Sequence, residues 1–340
     1  MNKLGFGIIG CGMIANWHSA AIDAIKEAEL KAVFDANPAS AERFAAEKGV
    51  DFVSNLDEFL AREDIDVVCI CTPSGLHAEL GIKVANAKKH IILEKPMAIT
   101  SRGLDELIKA VEENGVKAAV ISQLRFTPAI MKVKKAIDEG KLGKLLIANI
   151  NMKFYRSPEY FASSPWRGTI ALDGGGALMN QGIHGVDMLT YLAGPVRSVY
   201  GLCKTLVHKV EVEDAAKVLV EFENGAIGCI EGTTCVVPGY PRELELCGEK
   251  GCIVLKEDRI KRWDIEGEES HIDKAKSRHN SFNDPTAFSP EHHITQFRDL
   301  IDAIREDRKP LVDVYEGRRA VDIILAAYRS SKEQKRIELK

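Results

Sequence analysis

Apolar positions follow two different rhythms along this chain. Through the first third, apolar runs of strand length alternate with stretches of helical period. The runs are Gly5–Ile9, Leu30–Asp35, Asp51–Val53, Asp66–Cys71, His90–Leu93 and Val116–Ser122. Helix patterns fill the intervals: one after the turn at Gly10, one at Ala39–Lys48, one from Asn55, one at Leu76–Ala87 and one at Arg102–Asn114. Strands that alternate with helices imply a parallel sheet with right-handed crossovers, and functional residues in such sheets lie past the carboxyl ends of the strands. Those ends are Gly10–Gly12, Asp35, Thr72-Pro73, Glu94-Lys95-Pro96 and Gln123.

The rhythm changes after Thr127. A helix pattern at Pro128–Glu139 leads to Lys144–Tyr155, where Leu146, Ala148, Ile150, Met152 and Phe154 alternate with polar neighbours, the mark of a strand with one buried face. Val218, Val220 and Phe222 repeat that pattern, Asn224-Gly225 is a two-residue hairpin signal, and Ala226–Thr234 returns. Short runs at Glu243–Cys247, Cys252–Lys256 and Ile260–Trp263 complete an antiparallel meander, and the polar stretch Asp264–Pro285 is expected to be a long surface loop. Two amphipathic helices close the chain, marked by Ile294, Phe297, Ile301 and Ile304, then by Val321, Ile324, Leu325 and Tyr328. The expected division is therefore an α/β domain over 1–124 and an α+β domain with an open, mainly antiparallel sheet over 125–340. One face of that sheet needs a cover, and a second copy of the chain is the expected one, giving a homo-oligomer.

Composition narrows the partners. The net charge of −4 over 340 residues, with both signs interspersed, gives no field for nucleic acid or anionic lipid. No apolar run approaches the roughly 18 residues that span a bilayer, so a non-membrane, cytoplasmic protein is expected. Eight cysteines lie scattered without a CxxC pair, mostly inside apolar runs, which predicts reduced, buried thiols and no disulfide scaffold.

Candidate chemistry begins at the first turn. Gly10-x-Gly12-x-x-Ala15 follows a strand and opens a helix: Gly10 permits the turn, Gly12 leaves room for a diphosphate, and Ala15 lets helix and strand pack closely. Met13 and Ile14 complete the turn. Asp35 stands 20 positions beyond Ala15, where a carboxylate that binds ribose belongs; read alone it would be a solvated strand-end charge or a helix cap. Because it would repel a 2′-phosphate and neither Ala36 nor Asn37 supplies a cation, NAD is expected rather than NADP, although Arg43 could reach in from the next helix.

Two further groups could carry a reaction. Lys95 follows the strand Ile91–Leu93 at the edge where a nicotinamide would lie, and an amine there can hydrogen-bond a substrate hydroxyl; the plain alternative is a solvated lysine paired with Glu94. The block Gly174–Asp187 puts Asn180, His184 and Asp187 at helical spacings on one face, where an imidazole can relay a proton, an amide orient a hydroxyl and a carboxylate hold the ring in one tautomer. His292 and His293 are adjacent and point to different faces, so no metal site is expected.

Gly10–Ala15, Cys71-Thr72-Pro73 with His77, Glu94-Lys95-Pro96 and the Gly174–Asp187 block together resemble the glucose–fructose oxidoreductase / inositol dehydrogenase / MocA (Gfo/Idh/MocA) family in order and spacing. The resemblance implies a Rossmann-type first domain and hydride transfer between NAD(P) and a secondary alcohol of a sugar, cyclitol or sugar derivative. It implies Lys95 as the catalytic lysine and His184 as the histidine at the substrate hydroxyl. Thr72, Pro73, His77, Glu94 and Gln123 fall where such proteins line the cofactor cleft. Asn180 stands where the inositol-oxidising branch commonly has aspartate, and an amide cannot accept a proton, so the base is His184 or Lys95. The wording around Trp166-Arg167-Gly168 and Met179–His184 is similar to members acting on other hexose derivatives, including nucleotide-linked uronic acids, which points away from myo-inositol, and Arg167 could clamp a carboxylate or phosphate of such a substrate. A dinucleotide-binding redox sensor without turnover is the alternative; it has no need of Lys95 and His184 together.

Overall fold

The computed structural model describes residues 3–273 and 291–339, so the 274–285 part of the expected Asp264–Pro285 loop lies outside the described residues, while its first residues, Asp264 and Ile265, belong to a strand. Two compact units emerge, Met1–Gln123 with Ser289–Arg318, and Leu124–Phe288 with Arg319–Lys340. The sequence reading gives all of 125–340 to the second domain; the structure places 291–318 with the first.

In the first unit, β1 (Leu4–Ile9), α1 (Met13–Asp23), β2 (Ala28–Phe34), α2 (Pro38–Lys48), β3 (Asp51–Phe52), α3 (Leu56–Leu60), β4 (Val67–Ile70), α4 (His77–Asn86), β5 (His90–Leu93), α5 (Ser101–Asn114) and β6 (Ala118–Val120) follow one another. The six strands pair in parallel in the order β3-β2-β1-β4-β5-β6. Strand order reverses at β1, and β1 and β4 are neighbours whose carboxyl ends carry Gly10 and Thr72. Crevices at such reversals are where open α/β sheets bind dinucleotides. β4 is buried at every position, as a strand covered on both faces must be.

The second unit contains α6 (Pro128–Asp138), β7 (Leu145–Lys153), α7 (Pro158–Ala162), a π-helix at Ala177–Gly182 running into α8 (Ile183–Ala193), and then β8 (Val196–Lys204), β9 (Ala215–Phe222), β10 (Ile227–Thr233), β11 (Glu243–Gly248), β12 (Gly251–Lys256) and β13 (Arg259–Ile265). With β14 (Ile337–Glu338) these form an eight-stranded sheet, β13-β12-β11-β7-β10-β9-β8-β14. Its pairs are antiparallel except β10 on β7, so the expected meander is interrupted once. The Asn224-Gly225 turn joins β9 to β10 as expected, with Gly225 at φ +87. β8 escapes the sequence reading because Tyr200 and Leu202, on its open face, are apolar and mask the alternation.

The last helices are α9 (Glu291–Arg305) and α10 (Val314–Glu333), and the boundary between the units falls inside α10. α9 belongs to the first unit for a packing reason. Phe297, Leu300 and Ile301 enter the cluster of Phe6, Ile8, Ile22 and Val33, and Phe297 stacks on Phe6 at 6.1 Å. Each such side chain withdrawn from water contributes about 1.5–3 kcal/mol, which outweighs its distance along the chain.

The thiol expectation needs one correction. Cys11, Cys69 and Cys71 are free and buried, but Cys247 and Cys252 form a disulfide. The β11–β12 register sets these two directly opposite each other with Cα atoms 4.2 Å apart, a pairing that scattered spacing hides. Among the described residues no helix is long and apolar enough to cross a membrane.

Candidate active site

Each unit contributes its own constellation. In the first, Gly10 turns the chain at φ +93, and a Cβ there would lie 2.8 Å from the Cys71 carbonyl carbon, so no other residue fits. Gly12 differs: a Cβ there would meet nothing within 4 Å. The start of α1 has neither a side-chain cap nor an acid in its first turn, which leaves its N–H groups facing that open space. Ala15 is fully buried, Met13 is exposed and Ile14 half-buried. Asp35 Oδ2 accepts the Cys11 N–H at 2.7 Å and Oδ1 the Asn37 N–H at 2.8 Å, so the carboxylate is fixed beside the glycine turn. The helix cap is Asn37, whose side chain accepts from Ala39.

Thr72 Oγ1 and Gln123 Oε1 are buried and make no hydrogen bond. Orphaned polar atoms at two strand ends, an uncapped helix start and a bare Gly12 are what a dinucleotide would satisfy, so these residues fit NAD or NADP. Pro73 opens the short turn Ser74–Leu76. His77 and Glu94, expected to line the cofactor cleft, are both buried and hydrogen-bonded within the first unit. His77 is 1 % exposed, with Nδ1 2.7 Å from Pro96 O and Nε2 2.9 Å from Thr72 O. Burial holds its pKa below the ordinary histidine value against the pull of those two carbonyls. Glu94 Oε1 lies 2.9 Å from His18 Nε2, both residues buried. Lys95, half-buried, donates its backbone N–H to Glu94 Oε2 at 3.2 Å.

In the second unit, Gly174–Gly176 leads into the π-helix. A Cβ on Gly175 would lie 2.2 Å from Tyr328 Oη, and one on Gly176 would lie 2.0 Å from Glu213 O. The Glu213 carboxylate accepts the N–H groups of Gly176 at 2.9 Å and Leu178 at 2.7 Å and the Tyr328 hydroxyl at 2.8 Å, capping the helix that carries Asn180 and His184. Burial raises its pKa although those donors oppose the shift.

The three polar residues expected to share one face are divided. Asn180 lies in the π-turn and donates to Asp173, which also accepts the Gly168 N–H at 2.8 Å. His184 is in the first turn of α8, 8 % exposed. Asp187, expected at the substrate, is 3 % exposed and clasped by Arg125, with Nη2–Oδ1 2.6 Å and Nε–Oδ2 3.0 Å. That buried pair commits the carboxylate to packing, and nothing in the sequence joins position 125 to 187.

Arg167 lies with its Cζ 4.2 Å from the centre of the Tyr160 ring and 4.8 Å from that of Trp166, and donates to Tyr160 Oη. Its Nε is buried and makes no hydrogen bond. Tyr160 Oη also accepts from Gln181 at 2.7 Å, and Gln181 Oε1 accepts from Arg156 at 2.9 Å. Arg156, Tyr160, Asp173, Gln181 and Glu213 were not singled out from the sequence; Asp173 and Gln181, which flank residues that were, could have been.

Among the described residues two groups have ligand-type side chains within 4.8 Å of one another, despite the expectation drawn from spacing. In His208, Asp214 and Cys235, the carboxylate already accepts the N–H groups of Leu206, Val207 and His208, and His208 Nε2 lies 2.9 Å from Arg156 O, so the trio ties a loop to Arg156. In the other, Glu245 adjoins the Cys247–Cys252 disulfide.

Residues 4–122 match the model described as "Oxidoreductase family, NAD-binding Rossmann fold", and residues 130–254 match the "GFO/IDH/MocA C-terminal domain". Inositol 2-dehydrogenase of Rhizobium meliloti is 29 % identical over 98 % of both chains. Levoglucosan dehydrogenase of Pseudarthrobacter phenanthrenivorans is 30 % identical over 76 % of this chain and 75 % of its own. The WlbA dehydrogenase of Bordetella pertussis, solved in complex with NADH and UDP-GlcNAcA, superposes with a TM-score of 0.89 at 33 % identity, covering 100 % of this chain and 99 % of its own.

Proposed function

The chain belongs to the GFO/IDH/MocA oxidoreductase family, and on that premise we propose that it is a dehydrogenase oxidising a secondary hydroxyl of a carboxylate-bearing hexose derivative, of the nucleotide-linked uronic acid kind, with NAD as cofactor. Lys95 carries the reading of the reaction: an amine just past β5, on the same sheet whose β1 end has an open glycine turn and an uncapped helix. Gly10, Gly12 and the start of α1 hold the diphosphate, Asp35 the adenosine ribose, and Thr72 and Gln123 the remainder. The carboxylate of Asp35 would repel a 2′-phosphate, which favours NAD over NADP. Bound NAD supplies the hydride acceptor.

The proton is the protein's task. Lys95 donates a hydrogen bond to the substrate hydroxyl and stabilises the charge that grows on its oxygen, and His184 takes the proton. Asn180, an amide already engaged by Asp173, orients and does not relay. Arg167, stacked on two aromatic rings with Nε unsatisfied, is the group for the substrate's carboxylate. Substrate identity rests on this arginine and on the likeness to WlbA. On the outer face of the eight-stranded sheet Leu219, Ile227 and Leu202 are 62 %, 56 % and 54 % exposed, and a second copy of the chain covers them.

Mixing the protein with NAD and a panel of sugars, cyclitols and UDP-linked uronic acids, and following absorbance of the reduced cofactor, tests the reading. Lys95→Met lowers turnover at least about 100-fold while NADH affinity stays within a small factor. Full turnover in that variant removes Lys95 from the mechanism. Tight NADH binding with no turnover across the panel favours the redox sensor.

A further inference from the structure

One hydroxyl in the second unit has a proton that no described residue receives. Tyr160, on α7, is half-buried, and its oxygen accepts N–H groups from Arg167 and, at 2.7 Å, from Gln181 Nε2. Both directions are forced. A guanidinium has only donors, so Arg167 must give to the phenol, and the Gln181 amide is pinned at its other end, where Oε1 accepts Arg156 Nε at 2.9 Å. The same amide also donates to Asn180 Oδ1 at 3.1 Å, and Asn180 Nδ2 donates to Asp173. A phenol oxygen that accepts twice has only its own proton left to give, and among the described residues nothing accepts it.

The surroundings select what that proton meets. The Arg167 Cζ lies 4.2 Å and the Arg156 Cζ 5.7 Å from the centre of the Tyr160 ring, so two guanidinium charges stand near this one phenol. Burial raises the Tyr160 pKa against the pull of those charges, and the hydroxyl keeps its proton through the neutral range. A donor beside two cations favours an anionic oxygen over a neutral one. Through Asn180 the chain of hydrogen bonds reaches the π-turn that runs into His184, which argues for an anion on the sugar being oxidised rather than on a remote diphosphate. We propose that Tyr160 is a specificity-determining residue whose hydroxyl donates to the substrate's carboxylate, beside Arg167. The inference rests on reading the substrate as a nucleotide-linked uronic acid.

The test sets an acid against its neutral twin. UDP-GlcNAcA and UDP-GlcNAc differ only at C6, a carboxylate against a hydroxymethyl group, and share the whole nucleotide. Binding of each to the NADH-loaded protein is measured by calorimetry, which needs no turnover. Tyr160→Phe keeps the ring that Arg167 stacks on and weakens UDP-GlcNAcA at least about fivefold more than UDP-GlcNAc, the scale that separates charged from neutral hydrogen bonds. An equal loss on both, or none, overturns the proposal and leaves the reaction standing, because the phenol is then a packing group or meets the shared diphosphate. A selective loss in a protein that oxidises neither sugar supports the contact and refutes the proposed reaction alone. A wild-type protein that does not bind UDP-GlcNAcA overturns both.

A second measurement covers the case in which Tyr160→Phe, by stranding two N–H groups, fails to fold. Tyr160→3-fluorotyrosine keeps the hydroxyl and both of its donors, and its fluorine resonance follows ionisation of the phenol. A carboxylate that accepts the O–H stands beside the phenolate once the proton leaves, so saturating UDP-GlcNAcA raises the phenol pKa by at least about one pH unit. UDP-GlcNAc, with the same diphosphate, raises it by less than about half as much. A titration that is the same with both ligands overturns the proposal.

Discussion

Replacing Arg125 by methionine removes one half of a fully enclosed ion pair in the second unit. Arg125 is 1 % and Asp187 3 % exposed; the guanidinium makes contacts of 2.6, 3.0 and 3.2 Å with both carboxylate oxygens and lies 4.5 Å from the centre of the Tyr191 ring. Methionine replaces most of the buried volume, so the dominant effect is the carboxylate left without its counter-charge. Breaking a buried pair from one side costs about 3–5 kcal/mol, whereas replacing both partners by apolar residues is often neutral. In a unit of this size about 4 kcal/mol corresponds to a fall in Tm of roughly 10 °C. The assay is urea or thermal unfolding followed by far-UV circular dichroism on wild type, Arg125→Met, Asp187→Leu and the double variant. Both single variants lose several kcal/mol, and the double variant returns to within about 1–2 kcal/mol of wild type. A loss under about 1 kcal/mol in Arg125→Met, or additive losses in the double variant, refutes the reasoning and returns Asp187 to the list of candidate ligand contacts.

Two further perturbations read the first unit. Gly12→Ala leaves unfolding unchanged, since its Cβ meets nothing within 4 Å, but weakens NADH binding at least about tenfold by fluorescence titration, because the methyl enters the space meant for the diphosphate. Gly10→Ala lowers Tm as well, from its φ of +93 and its contact with Cys71; a Gly12→Ala protein with unchanged NADH affinity removes the diphosphate from that turn. His293 is buried, and burial lowers its pKa to about 4, with Glu94 opposing. A base whose folded pKa is lowered contributes stability that is present above its unfolded value of about 6.5 and is lost as pH falls through the folded one. Wild type therefore loses urea resistance between about pH 6.5 and 4, and His293→Leu loses distinctly less; equal slopes in the two proteins count against the buried neutral ring.

How much the sequence disclosed depended on how far each determinant reaches along the chain. Alternating strand and helix rhythms, the turn at Gly10–Ala15, the Asn224-Gly225 hairpin and the helices at both ends are set by neighbours a few residues apart, and each appears where local pattern put it. The strand-end residues are legible for the same reason, since topology alone places the carboxyl ends of parallel strands at one edge.

What only tertiary structure decided is which polar side chains already have a partner. His77 is engaged by Thr72 and Pro96, Glu94 by His18, Asn180 by Asp173 and Asp187 by Arg125, and three of these four residues meet partners 19, 76 or 62 positions away. The transfer of 291–318 to the first unit, the parallel seam between β7 and β10 and the Cys247–Cys252 bond likewise depend on packing and register. A sequence records which groups can ionise, donate or accept through residue type, which is local. Whether a buried group is spent on structure or left for a ligand depends on what the folded chain brings within 3 Å of it, and that is fixed only when the whole core has packed.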